Sequence, residues 1–196
     1  MVFLPIEEPE LSLLGDSASN ILSVAPISMA PFASKLLVEI TYIDSSKLYK
    51  SYYIYDTESK VYSTNISDYL GGSDVVSITS IDVAWSTTSG VTFAIAYIDK
   101  TESSYLSTST GNRIAIVQDG ELLDDDIIET ASQQVANTGV NNVEISAVGT
   151  QVIFSSAANN LVDYADTNSV SDVFLVDISN ATLQRVSQIT IDDEGS

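Results

Sequence analysis

The sequence predicts an all-β chain of three propeller-like blades, each a four-stranded antiparallel unit. Three observations lead there. Apolar residues alternate with period two nearly throughout, as in half-buried strands. Clusters of Ser, Thr, Asn, Asp and Gly separate the apolar segments with turn chemistry. One strand order also recurs three times at a spacing of about 55 residues, a period expected of sheet-repeat architectures.

The repeat is clearest in the second strand of each unit. Ile40-Thr41-Tyr42-Ile43-Asp44 returns as Ile95-Ala96-Tyr97-Ile98-Asp99, and Val152-Ile153-Phe154-Ser155-Ser156 takes the same place in the third unit. The third strands are Tyr53-Ile54-Tyr55-Asp56, Ile116-Val117-Gln118-Asp119 and Phe174-Leu175-Val176-Asp177. First strands are expected at Leu22–Ser28, Ile78–Ser86 and Val143–Ala147, and fourth strands at Lys60–Thr64, Glu121–Leu123 and Thr182–Ser187. The chain thus divides into a lead segment (1–19), three units (20–70, 75–130 and 138–190) and the start of a linker to a further blade (191–196).

Asp119-Gly120 predicts a two-residue hairpin turn. Asp124 to Val135 is the one weak helix candidate. A β-sandwich fits twelve strands by count, but the recurring order favours blades. A lone four-stranded sheet covers only one face, and repetition supplies the missing cover. Propellers close with four or more blades, so three make an incomplete one. The expectation is the N-terminal part of a longer protein, or self-association in which two chains complete each other.

Hydrophobic residues make up 44% of the chain and charged residues 17%, enough apolar matter for a core. The charges are one-sided, with 27 acids against 7 bases and a net charge of −20. That sign excludes a phosphate-neutralising surface for nucleic acid and disfavours an anionic membrane. No apolar run is long enough for membrane insertion as a helix. There is no cysteine and no histidine. Disulfides, zinc and haem ligation by those residues, and a Ser-His-Asp triad within the chain are excluded. The N-terminus lacks the basic region of a signal peptide. An extracellular or cell-surface location would need another export route, and a cytoplasmic one is also compatible.

Asp166, Asn168 and Asp172 place three oxygen-bearing side chains in one loop between strands, and calcium is the cofactor that such hard oxygen ligands suit. The competing reading is a turn in which Asp and Asn bond their own backbone. The runs Asp124-Asp125-Asp126 and Asp192-Asp193-Glu194 are expected to be solvated loops. Asp44, Asp56, Asp99, Asp119 and Asp177 end strands at matching points, which argues for turn formation over catalysis. Tyr42, Tyr49, Tyr52, Tyr53, Tyr55 and Tyr62 could form a contact surface. Alternation instead puts Tyr53 and Tyr55 on one packed face and Tyr52 on the other. Trp85 is expected in a blade core. The glycosylation patterns at Asn65 and Asn180 arise readily by chance.

The third unit carries a resemblance. Ile145-Ser146-Ala147-Val148-Gly149, Phe154-Ser155-Ser156-Ala157-Ala158-Asn159-Asn160-Leu161-Val162, Asp166-Thr167-Asn168-Ser169-Val170-Ser171-Asp172-Val173-Phe174-Leu175-Val176-Asp177 and Arg185-Val186-Ser187 resemble the TolB-like bacterial β-propeller repeat. The likeness covers 143–187, with Val148 where the family usually has Asp; the first two units keep the strand order without the motif. It implies repeat type, not activity. The reading from sequence is a non-catalytic scaffold or binding module of a larger bacterial extracellular or surface protein, with protein or glycan partners. The alternative is the propeller portion of a hydrolase whose catalytic residues lie outside this chain.

Overall fold

The structure is a computed structural model. It describes residue 14 and residues 18–72, 76–86, 90–99, 112–132, 136–162 and 170–187. Twelve strands form three four-stranded antiparallel sheets, and each sheet takes its strands in sequence order. Sheet 1 holds β1 (Ala18–Met29), β2 (Lys35–Asp44), β3 (Lys47–Asp56) and β4 (Val61–Tyr62). Sheet 2 holds β5 (Val76–Trp85), β6 (Val91–Asp99), β7 (Asn112–Gln118) and β8 (Glu121–Asp124). Sheet 3 holds β9 (Val140–Ile145), β10 (Gln151–Ser156), β11 (Asp172–Asp177) and β12 (Thr182–Arg185). None of these strands is shared between sheets, so the meanders are blade-like and not a strand-exchanging sandwich. The chain forms two compact units, residues 1–77 and 78–196.

In the first unit, β2 and β3 form a hairpin of ten cross-strand pairs, from Lys35–Asp56 to Asp44–Lys47. Leu36, Val38, Ile40 and Tyr42 share one face with Tyr53 and Tyr55, as the period of two requires. These six side chains are buried together with Leu14, and Ile21, Val24, Tyr49 and Tyr62 pack at the edge. Tyr62 meets the ring of Tyr55 at 4.9 Å and of Tyr53 at 6.1 Å. Strand β1 runs longer than the sequence suggested. It follows β2 from Leu36 to Asp44 through three register shifts, which carry it past the Leu22–Ser28 core of the pattern. Strand β4 is correspondingly short.

The second unit is built on sheets 2 and 3. Sheet 2 is buried on both faces: Phe93 to Tyr97 and Ile114 to Val117 are all covered. Its β6 and β7 are near-continuous apolar runs, the sequence mark of a doubly covered strand. Sheet 3 alternates instead. Val152, Phe154, Phe174 and Val176 are buried against Ala94, Ala96, Ile114 and Ile116, while Gln151 and Ile153 are exposed. Phe154 and Phe174, opposite one another across β10 and β11, stack at 5.4 Å. A short helix α1 (Ile127–Ser132) plugs the same core with Ile127 and Ile128, inside the stretch where sequence gave a weak helix signal.

The first strands of the two sheets are joined by polar side chains. The Val143 amide donates to Ser80 Oγ at 3.2 Å, and the Ile145 amide donates to Asp82 Oδ2 at 2.9 Å. An edge strand that would otherwise present bare N–H groups is therefore satisfied by its neighbour's side chains. The approach is close elsewhere too. A Cβ at Gly149, whose φ is +73°, would lie 3.0 Å from Thr92 Oγ1. Trp85, expected in a core, is half-buried at the end of β5.

Replacing Asp82 by Ala is expected to destabilise the chain by about 1–3 kcal/mol in urea unfolding, because it strands a part-buried amide. Asp82→Asn, which keeps a carbonyl acceptor, should lose clearly less.

Candidate functional site

The strand-end acids occupy turns. Asp56 Oδ1 accepts the amides of Glu58 and Ser59 and the Ser59 hydroxyl, and the Ser59 amide bond above all holds this carboxyl below its ordinary range. Asp177 Oδ1 accepts the Asn180 amide, and Asp44 Oδ1 the Ser45 hydroxyl. Asp119 sits with Gly120 in the expected two-residue turn, both at positive φ (50° and 84°), and its Oδ1 accepts the Val91 amide at 3.0 Å. These carboxylates share a turn-forming task rather than converging. The side chain of Asp99 lies outside the described residues.

Of the calcium candidates, Asp166 and Asn168 lie outside the described residues, as does Asp192-Asp193-Glu194. Asp172 is buried, and both of its oxygens already have donors. Arg185 NH1 reaches Oδ2 at 3.0 Å, and Ser187 Oγ reaches Oδ1 at 2.7 Å while accepting the Val173 amide. The Arg185-Val186-Ser187 signature thus works as a clamp between the end of β12 and the start of β11. In this structure Asp172 contributes an ion pair. Among the described residues no group of three or more acids is arranged to hold a metal ion.

The first acidic run departs from expectation. Asp126 is not in a solvated loop; only 3% of it is exposed. It caps α1, with Oδ1 accepting the amides of Ile128 (3.2 Å) and Glu129 (3.4 Å), while its own amide donates to Asp124 Oδ1. Its Oδ2 is buried without a hydrogen-bond partner. Burial pushes this carboxyl from 3.8 up to about 6, against the opposing pull of the cap amides and of Arg113, with Glu129 adding to the rise. Nearby, the Tyr97 hydroxyl donates to the Asp125 carbonyl at 2.8 Å. The capping pattern of an acid before Ile127-Ile128 was the available sequence signal, masked by its place in a run of three.

The tyrosines follow alternation. Tyr42, Tyr53 and Tyr55 are buried on one face of sheet 1, while Tyr52 lies on the other, its hydroxyl donating to Glu39 Oε2 at 3.1 Å. Burial first, then the charge of Glu39, raises the Tyr52 pKa. Lys50 completes that group with an ion pair to Glu39 at 2.9 Å. Asn65 is also employed structurally: it caps a short 3-10 turn at Ser67 and donates to Ser51 Oγ. The outward face of sheet 3 carries a shallow groove of about 220 Å³ lined by Gln151, Leu175, Asp177, Thr182, Leu183 and Gln184.

No protein-family model matches the chain, and no curated protein matches it. Among solved structures it is similar to the crystal structure of TolB from Acinetobacter baumannii, with a TM-score of 0.45 and 11% identity. The likeness covers 84% of this chain and 32% of that one, so the chain spans about a third of its neighbour's length. No helix among the described residues is long and apolar enough to cross a membrane.

The Asp126 shift fixes a sign. Its folded pKa stands above the unfolded value, so it adds stability that is full below about pH 4 and is lost as pH rises through about 6. Asp126→Asn keeps the cap and removes the titration. The stability of the variant relative to wild type should therefore rise by about 2–3 kcal/mol between pH 4 and pH 8, as read from urea unfolding at each pH.

Proposed function

We propose that this chain is a non-catalytic scaffold or binding module of propeller type, the N-terminal part of a larger bacterial extracellular or surface protein. One observation carries the reading. Sheets 2 and 3 stack through a single apolar core and through side-chain bonds to the Val143 and Ile145 amides. Stacked sheets of this kind hold loops and outer faces in fixed positions, which is what a recognition surface needs. The TolB-like motif of the third unit supports the same reading at the level of repeat type. The strand-end carboxylates support it as well, since turn closure already employs those described.

The groove on sheet 3 is the proposed contact surface. Gln151, Thr182, Gln184 and Asp177 offer donors and acceptors side by side, with Leu175 as an apolar floor. That mixture suits glycan hydroxyls or a peptide backbone. A net charge of −20 favours proteins and neutral glycans over nucleic acid as partners.

The test is a panel of chromogenic esters, phosphates and glycosides, run beside a glycan array. The expected result is no turnover, with any binding lost on Gln184→Ala. Turnover that co-purifies with the chain and disappears in Asp177→Asn would contradict the module reading.

A further inference from the structure

Each sheet holds one acid inside a described strand, set between two buried residues: Val38-Glu39-Ile40, Ile81-Asp82-Val83 and Val143-Glu144-Ile145. Alternation turns each acid to the face opposite its two neighbours. The first two are half-buried and have donors. Glu39 takes Lys50 Nζ at 2.9 Å and the Tyr52 hydroxyl at 3.1 Å. Asp82 takes the Ile145 amide of the neighbouring sheet at 2.9 Å. Glu144 is exposed on the outward face of sheet 3, and its carboxylate has no donor among the described residues.

The register lays out that face. Glu144 lies opposite Ile153, Ile153 opposite Leu175, and Leu175 opposite Gln184. Two residues along, Gln151 lies opposite Asp177, and Asp177 opposite Thr182. This second row lines the groove of sheet 3 together with Leu175 and Gln184. Ile153, 37% exposed, and the half-buried Leu175 therefore form an aliphatic strip between two carboxylates. Asp177 gives Oδ1 to the Asn180 amide, and its Oδ2 has no donor among the described residues. Of the seven bases in the chain, only Arg185 lies in a strand of sheet 3, and Asp172 holds it.

Such a face differs from one made to pack on another sheet. Sheet 2 meets sheet 3 with Ala94, Ala96, Ile114 and Ile116, all apolar and fully buried. The outward face of sheet 3 instead sets amides, a hydroxyl and two uncompensated carboxylates around its aliphatic strip. In a chain of net charge −20, its complement is a cation and not a second copy. A neutral glycan would satisfy Gln151, Thr182 and Gln184 but leave both carboxylates unpaired. The spacing also selects a shape. With strands about 4.8 Å apart and same-face neighbours about 6.8 Å apart, Glu144 and Asp177 stand about 12 Å apart along a diagonal over Ile153 and Leu175. An extended peptide sets residues i and i+4 about 13 Å apart, with i+2 between them on the same side.

We propose that the outward face of sheet 3 binds an extended basic segment of a partner protein, with one basic residue on Glu144, another four positions away on Asp177, and the apolar residue midway between them on Ile153 and Leu175. The proposal rests on the module reading above and names the partner of the same groove.

The test is fluorescence anisotropy with a labelled synthetic peptide, blocked at both ends, that carries Lys-Thr-Ile-Thr-Lys at its centre. A second peptide carries the same residues reordered as Lys-Lys-Ile-Thr-Thr. The expected result is that the wild-type chain prefers the first peptide and binds it more weakly as salt rises. Glu144→Gln should weaken that binding about three- to fivefold, the worth of one exposed ion pair, and remove the preference. Asp177→Asn keeps an acceptor for the Asn180 amide and should act likewise. Glu121→Gln removes an acid from β8 and should change nothing. Glu144→Lys should turn the preference toward a peptide with Glu-Thr-Ile-Thr-Lys at its centre. Equal binding of the two basic peptides, or a Glu121→Gln loss equal to that of Glu144→Gln, would reduce the effect to net charge and overturn the proposal. No peptide binding, beside glycan binding that Gln184→Ala removes, would overturn the basic segment and leave the groove reading standing. Loss of both would remove the groove as a contact surface.

Discussion

The Ile145 amide donates to the Asp82 carboxylate, and what separates this fold from independent β-meanders depends on joins of that kind. A four-stranded sheet of this size has one apolar face to hide and a first strand with unpaired amides. In the second unit, a neighbouring sheet meets both needs at once. Apolar side chains of β6 and β7 cover the face, and Ser80 and Asp82 cover the edge. The two contributions are coupled geometrically, because a carboxylate reaches the neighbouring amide only when the faces are in register and close. Gly149 against Thr92 shows how little space that closeness leaves.

The charge distribution follows from the same constraint. Twenty-seven acids cannot be brought into stacked sheets without partners, and the structure assigns those it describes to edges, turns and caps. Asp56, Asp119 and Asp177 hold turns, Asp172 is neutralised by Arg185, and Glu39 by Lys50. Asp126 is the exception. It was drawn into the core as the cap of α1, where one oxygen gains two amides and the other gains nothing. Proteins keep a buried carboxylate of this sort when the element it caps matters more than the desolvation it costs. Ile127 and Ile128, both fully buried beside Phe174 and Val176, are what this cap holds in place.

Much of the fold was legible in the sequence because each sheet writes its environment into its strands. Alternation with period two was expected nearly throughout; Gln151 to Ser156 follows it and is covered on one face, whereas Phe93 to Tyr97 departs from it and is covered on both. The Asp119-Gly120 turn was equally plain, since only residues that tolerate positive φ suit it. The ends of strands were less legible. β1 reaches Ala18 through bulges that a strict period of two cannot anticipate, and β12 stops at Arg185 because Ser187 turns to hold Asp172. Turn roles for Asp56, Asp119 and Asp177 could be inferred from recurrence. The burial of Asp126 could not, because its neighbours Asp124 and Asp125 give it the look of a solvated run. Val148, standing where the repeat that the third unit resembles has Asp, leaves its turn intact because Ser146 Oγ accepts the amides of Thr150 and Gln151 instead.

The central claim is that sheets 2 and 3 are one cooperative body joined at their first strands. Native-state hydrogen exchange resolved at single amides tests it most directly. The Val143 and Ile145 amides face away from β10 and have no backbone acceptor there, so their protection depends on Ser80 and Asp82. The account predicts that both exchange as slowly as the Phe154 and Phe174 amides in the middle of sheet 3, with the free energy of global unfolding. Exchange of Val143 and Ile145 at the rate of an exposed turn amide such as that of Val148, while Phe154 and Phe174 stay protected, would show that the sheets fold without this join and would contradict it.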